Sequence, residues 1–214
     1  MPNVALPDHL LARARSLMER AGRSGGVPRS VLGVTGPPGA GKSTLAGELV
    51  AALGPGAVLV PMDGFHLAQI ELQRLGRQDR KGAPDTFDAA GYADLLGRAR
   101  HCAAETVYAP MFRRDIEEPV AGAVPVLPGV SLVVTEGNYL LDSEPPWDRV
   151  RSQLDEVWYV ELDDSLRRSR LVARHMAFGR DEREAVAWAG TVDEPNAVRV
   201  AATRHLADVV VAWH

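Results

Sequence analysis

Nine residues, GPPGAGKST at positions 36–44, hold the densest set of chemically specific side chains in this sequence. They fit GxxxxGK(S/T), a pattern in which glycines let a loop curl until its backbone N–H groups point inward at phosphate oxygens. Gly36, Gly39 and Gly41 supply the curl. Pro37, Pro38 and Ala40 fill the positions between them, and Lys42, Ser43 and Thr44 open the following segment. That segment reads as a helix, whose positive end adds to the cradle. Lys42 would reach the β and γ phosphates of a nucleoside triphosphate, and the Ser43 hydroxyl would bind Mg²⁺. The competing reading is a Gly-Pro turn that matches by chance. The apolar segment before the loop and the helical pattern after it are the context that the motif requires.

Two carboxylates stand where apolar runs stop. Asp63 ends VLVPM in the stretch VLVPMDGFHL (58–67), and Glu136 ends LVVT in LVVTEGNYLL (132–141). Ligands of open α/β sheets bind beyond the carboxyl ends of the strands, so the loop, Asp63 and Glu136 are expected along one edge. An ionised carboxylate behind four buried residues is costly without a cation or a donor, and Mg²⁺ is the natural partner for Glu136. Phosphoryl transfer is mostly positioning and electrostatics, but a hydroxyl acceptor needs an orienting group or base, the role open to Asp63. The structural alternatives are an ordinary Asp-Gly turn at 63–64 and a turn-capping Glu136.

The elements that must position these groups alternate along the chain. A helix is expected at 7–22, with Leu10, Leu11, Ala14, Leu17 and Met18 on one face, then a Gly-Ser-Pro linker at 23–30. Strands follow at 30–35, 57–62, 105–110, 130–137, 156–162 and 207–213. Helices are read at 42–53, 66–75, 88–104 and 164–178, with a helical pair through about 206. Residues 76–87 read as a polar loop. Residues 111–129, with five charges and three prolines, read as a hairpin-like excursion. Strands alternating with helices predict a three-layer α/β fold, with a mostly parallel sheet between helices. A single domain is expected to fill 1–214, with the N-terminal helix and linker at 1–29, the excursion on the acceptor side and a lid at 164–195.

Composition narrows the class. Hydrophobic residues are 46% and charged residues 24% of 214, which is ordinary for a globular protein. The N-terminal segment lacks an uninterrupted apolar core, and no run approaches the ~18 apolar residues of a membrane span, so a soluble, cytoplasmic protein is expected. Cys102, the single cysteine, rules out an internal disulfide and a cysteine-based metal cluster and reads as core filler. A net charge of −4 argues against a general nucleic-acid binder. Only Lys42 and Lys81 among 24 basic residues are lysines, and each could mark a place where a compact ammonium is needed rather than a guanidinium fork. The sequence leaves open whether the chain acts alone or as a homodimer.

A phosphate loop serves several chemistries. A GTPase would carry NKxD, which is missing, and the DxxG matches at 88 and 94 fall inside a helical pattern. A motor-type ATPase would end an apolar strand in Asp-Glu, where this chain has Thr-Glu-Gly. A small-molecule kinase is left in front. A regulatory module that hydrolyses ATP slowly is the rival from another class. A nucleotidylate kinase would need a second phosphate site, for which Arg113 and Arg114 offer charge.

The order GPPGAGKST, MDGFHL, PDTFD, PMFRR and EGNYLL resembles the family of uridine kinases, phosphoribulokinases and bacterial-type pantothenate kinases, and most of all its nucleoside kinase-like or fructokinase-like branch. The resemblance spans nearly the whole chain. It implies a P-loop kinase fold, ATP with Mg²⁺, an acceptor hydroxyl facing Asp63 and an arginine-bearing lid. It implies that Asp63 is the catalytic aspartate, Glu136 the acid near the metal, and Asp85 a partner of acceptor hydroxyls. Arg170 and Arg174, four residues apart on one helix face, match the lid arginines, and Arg180 lies further along. The tail around Asn196, Thr203 and Arg204 is closer to the pantothenate-kinase end, with Arg204 a candidate near the adenine. Arg113 and Arg114 depart from the family, where an acidic or small polar residue often follows the aromatic. That shifts the expectation from a neutral nucleoside toward an anionic or polyol acceptor. His66, Lys81, Asn138 and Tyr139 are further acceptor-side candidates. Trp147, Trp158, Trp188 and Trp213 are read as packing residues.

Overall fold

The computed structural model describes residues 6–21 and 28–213. In chain order its main elements are α1 (Asp8–Arg20), β1 (Ser30–Thr35), α2 (Lys42–Leu53), β2 (Ala57–Pro61), α3 (Gln69–Arg74) and α4 (Ala89–His101). Then come β3 (Val107–Arg113), β4 (Glu118–Val126), β5 (Leu132–Glu136), α5 (Asp148–Arg151), β6 (Glu156–Glu161), α6 (Asp164–Ala177), α7 (Glu182–Trp188), α8 (Glu194–Ala202) and β7 (Val209–Ala212). Most of the linker expected at 23–30 lies outside the described residues.

Five strands form one parallel sheet in the order β2-β5-β1-β6-β7. Its strands alternate between two cores with the period of two that a pleated strand imposes. Leu32 and Val34 of β1, Leu132 and Val134 of β5, and Trp158 and Val160 of β6 face α1 and α2, packing on Leu10, Leu17, Leu45 and Leu49. Val31, Val133, Val157 and Tyr159 face the other way, onto Tyr92, Ala93 and Leu96 of α4 and Val150 of α5. At about 1.5–3 kcal/mol per buried aliphatic side chain, a slip of one residue in β1 is excluded, because it would put Gly33 in place of Leu32 and Val34. Asp88 caps α4 by accepting from the Gly91 N–H at 2.8 Å. Asp163 caps α6, and Asp181 forms a capping box with Glu184 at α7.

The segment expected at 105–110 is a strand, but it does not enter the parallel sheet. It is the start of β3, which pairs antiparallel with β4 as a separate two-stranded ribbon. The excursion expected at 111–129 is therefore the far half of a hairpin that begins at Val107. Gly64 shows how tightly this ribbon is held: a Cβ there would lie 2.4 Å from the Pro110 carbonyl oxygen, so only glycine lets β3 approach the end of β2. The expected helical pair through 206 is more continuous than predicted. α7 runs through a π-helical segment, Ala189–Asp193, into α8. Pro195 has no N–H to offer the helix, and the widened turn precedes it. Among the described residues no helix is long and apolar enough to cross a membrane.

Candidate active site

Register brings the chemistry together. Glu136, the last residue of β5, pairs with Val34 of β1 on one side and Pro61 of β2 on the other. Three neighbouring strands thus end level, and the segments beyond their ends meet. These are the 36–41 loop after β1, Asp63 after β2, and Glu136 itself with Gly137 and Asn138.

The loop has the shape that its glycines predict. At Gly39, φ is +84°, and a Cβ would stand 2.8 Å from Leu171 Cγ and 2.9 Å from the Arg167 carbonyl oxygen of α6. No side chain caps α2, which leaves its first N–H groups open to an anion. The buried Lys42 curls back over the loop, Nζ donating to the Pro37 carbonyl at 3.0 Å. The loop is also tied to α6 by Arg167, 1% exposed. Its guanidinium donates to the Pro38 carbonyl (3.4 Å) and pairs with Asp164 (2.9 Å) and Glu194 (2.8 Å). Arg170 lies on the far side of the loop, Nη1 3.9 Å from where a Cβ on Gly41 would be.

Electrostatics of the cluster follow from burial. Glu136 is 7% exposed. Loss of water, reinforced by Asp63, pushes its carboxyl up to about 7, while Lys42, a hydrogen bond from Ser43 and the charge of Arg114 oppose the shift. Burial lowers Lys42 to about 8, against the attraction of Glu136. Burial likewise lowers Arg174, which Asp193, Asp63 and Glu136 counteract. Asp63 pairs through Oδ2 with Arg114 Nη2 at 3.1 Å, and its Oδ1 has no hydrogen bond among the described residues. His66 Nδ1 donates to the Asp63 carbonyl at 2.8 Å, which leaves Nε2 as the unprotonated nitrogen of a ring that burial keeps neutral.

These groups line one cavity of about 480 Å³. Its floor is Pro38, Lys42, Ser43, Glu136 and Gly137. Its opposite wall carries His66, Phe87 and Phe112, with the His66 ring 4.0 Å from Phe87 and 4.9 Å from Phe112 between centroids. Of the sequence candidates, Lys42, Ser43, Asp63, His66, Lys81, Arg114, Glu136, Asn138 and Arg174 all reach it. Others stand outside its lining. Arg113, the last residue of β3, turns outward to pair with Asp115 at the ribbon tip (2.5 Å), while Arg114 opens the turn that follows and reaches Asp63. Asp85 is held by Arg80 at 2.7 Å and Arg77 at 3.4 Å. Tyr139 is buried in the core and donates to the Gly82 carbonyl at 2.6 Å, fixing the loop that carries Lys81. Arg204 pairs with Glu161 at 2.7 Å, at the carboxyl end of β6.

Trp188, read from the sequence as packing, instead lines the cavity, and the Arg180 guanidinium sits 3.8 Å from its ring centroid. Phe178, 55% exposed, faces Arg114 at 5.6 Å. His175 and Asp193, joined at 2.7 Å, also line the cavity and escaped sequence reasoning.

No family model matches the chain. A protein of Schizosaccharomyces pombe named "Putative uridine kinase" is 34% identical over 187 residues, covering 83% of this chain and 77% of that one. A pantothenate kinase of Bacillus velezensis is 31% identical over 147 residues, 63% of this chain and 46% of its own length. Among solved structures, one from Silicibacter sp. TM1040, described as a "putative fructose transport system kinase", superposes with a TM-score of 0.83 at 37% identity, over 94% of this chain and 98% of that one.

Proposed function

Because the chain belongs to the P-loop kinases related to uridine and pantothenate kinases, we propose that it moves the γ-phosphoryl group of ATP to a hydroxyl of a small metabolite held over Asp63. The observation that carries this reading is the level ending of β2, β5 and β1, which delivers Asp63, Glu136 and the phosphate loop into one cavity.

The chain's own residues divide the work. Backbone N–H groups of the loop and of the uncapped α2 hold the triphosphate, and Lys42 swings from the Pro37 carbonyl to the β and γ phosphates. Asp63 takes the acceptor proton at Oδ1 while Arg114 orients the carboxylate through Oδ2. The acceptor oxygen bonds to the γ-phosphorus as the bond to the β–γ bridging oxygen breaks, and ADP leaves. Arg174, half-buried and already within reach of the charges of Asp63 and Glu136, balances charge on the transferring group. Arg170 closes over the loop from outside, and Arg204 stands at the sheet edge on the adenine side.

Mg²⁺ fits this site through its donor chemistry. Among the described residues no group of three or more His, Cys, Asp or Glu side chains could cage a metal, and Mg²⁺ does not need one, since it keeps several waters and shares phosphate oxygens. Glu136 and Ser43, hydrogen-bonded to each other, would hold it. When bound, the ion would screen phosphate charge. We place the reaction in the cytoplasm, where ATP is available.

The test is an ADP-release assay with nucleosides, pantothenate, fructose, other sugars and sugar phosphates as acceptors. Asp63→Ala is expected to lower turnover by roughly 10²–10⁴ while ATP affinity stays within about twofold. Lost ATP binding with normal residual turnover would overturn the assignment.

A further inference from the structure

Two cations at the acceptor side of the cavity have no carboxylate partner among the described residues. Lys81 Nζ donates to the Glu117 carbonyl (2.6 Å) and stands 5.0 Å from the Phe112 ring centroid. Arg180 stacks on Trp188 at 3.8 Å, and its guanidinium makes no hydrogen bond or ion pair among the described residues. Nearby arginines do have carboxylate partners: Arg77 and Arg80 share Asp85, Arg113 pairs with Asp115, and Arg168 pairs with Glu194. Stacking on an aromatic face adds attraction, but it does not neutralise charge; it fixes the plane of a guanidinium and leaves the N–H edge free for a bidentate anion. Nor are these two cations the ones serving the transferring phosphate. The charges that Lys42 and Glu136 feel are those of Asp63, Arg114, Arg174 and Asp193, whereas Lys81 acts on His66 on the opposite wall.

We propose that Lys81 and Arg180 form a subsite for an anionic group, a carboxylate or a phosphate, carried by the acceptor at a distance from the hydroxyl that is phosphorylated. The inference rests on the kinase reading and narrows its substrate class. Lys81 supplies a point charge from a loop pinned by Tyr139 and Asn196, both bonded to the Gly82 carbonyl. Arg180 supplies the fork, held flat on Trp188, and both cations line the same cavity.

The test compares alcohols paired by the presence or absence of one anionic group: gluconate with glucose, glucose 6-phosphate with glucose, pantothenate with its alcohol analogue. The acid members separate carboxylate from phosphate recognition. For at least one pair, the anionic member is expected to have the higher kcat/KM by tenfold or more. Lys81→Gln and Arg180→Gln should erase that preference, chiefly through the acceptor KM, and Arg180→Lys should restore part of it. A neutral member that is preferred throughout, or a variant that lowers both members of a pair equally, would overturn the subsite. A second arm needs no turnover: with a non-hydrolysable ATP analogue bound, inorganic phosphate and acetate are titrated against Trp188 fluorescence, with Trp188→Phe as control. A saturable signal weakened about tenfold or more by Lys81→Gln supports the subsite, and no saturable signal, or one indifferent to Lys81, overturns it. Anion binding here without ADP release from any acceptor would count against the kinase reading alone.

Discussion

Replacing Glu136 by Gln should make the protein more stable at pH 8 while destroying its activity. The carboxyl is raised from an ordinary 4.5 to about 7 by burial, so between those values the folded state holds a proton that the unfolded chain has released. Stability must then fall as pH rises through this window. Integrated from pH 5 to pH 8, the linkage costs the native protein roughly 2–3 kcal/mol. Gln has the same shape, can keep the contact with Ser43, and does not ionise. Lys42 has the opposite sign: burial holds it at about 8, so its relief begins only near the top of the window and is worth under ~0.5 kcal/mol at pH 8. Without Glu136 the lysine loses its main attractive partner and deprotonates earlier, which adds to the gain at pH 8. The assay is urea denaturation of both proteins at several pH values. With a urea dependence of ~1–3 kcal/mol/M, the midpoint of Glu136→Gln should exceed the native one by about 1 M at pH 8 and nearly match it at pH 5. Midpoints that stay parallel across the range would show that Glu136 titrates as a hydrated carboxylate, and the buried-acid account of the metal side would fail.

Two other substitutions probe the phosphate loop. Lys42→Ala should weaken ATP affinity at least about tenfold, since the lysine supplies the only buried ammonium on the cavity floor; calorimetric titration that finds unchanged affinity would argue against the cradle. Arg167→Met should cost about 1–2 kcal/mol, because it removes a partner of Asp164 and Glu194 and the donor to Pro38 while exposed Asp164 returns to water and Glu194 keeps Arg168. It should also raise the KM for ATP, and a loss of stability with an unaltered KM would limit Arg167 to a folding role.

Much of this site can be read from consecutive residues. The loop, Asp63 and Glu136 each sit at the end of an apolar run, and the edge rule for parallel sheets puts them together without knowledge of any tertiary contact. β3 is different. VYAP has strand character whichever partner it finds, and sequence alone could not say that Val107–Arg113 pairs with β4 rather than joining the sheet. Arg113 and Arg114 likewise look equivalent as letters. Only the end of β3 between them sends Arg113, still in the strand, to Asp115 and Arg114, already in the turn, to Asp63. The π-helical turn at Ala189–Asp193 has no signature beyond Pro195 downstream, yet it is this segment that presents Asp193 to the cavity.

The division has a physical origin that bears on specificity. Holding phosphate falls to the backbone. The N–H groups come from one loop and one helix terminus, so the residues are contiguous and the pattern survives as a motif. In the proposed reaction, holding the acceptor would fall to cavity-lining side chains from four separated stretches, at 63–69, 78–87, 112–117 and 174–196. Each stretch contributes three to seven lining residues, on loops, the ribbon and the run from α6 to α8, and apart from glycines such as Gly64 and Gly82 their placement depends on side chains rather than on a contiguous motif. The ring of His66 between Phe87 and Phe112 is set by such distant partners, as is Arg180 over Trp188. Related chains could therefore keep the same phosphate floor and exchange the acceptor wall piece by piece. On the subsite proposed above, the charges of Lys81 and Arg180, rather than the phosphate loop, would set this chain's choice of acceptor.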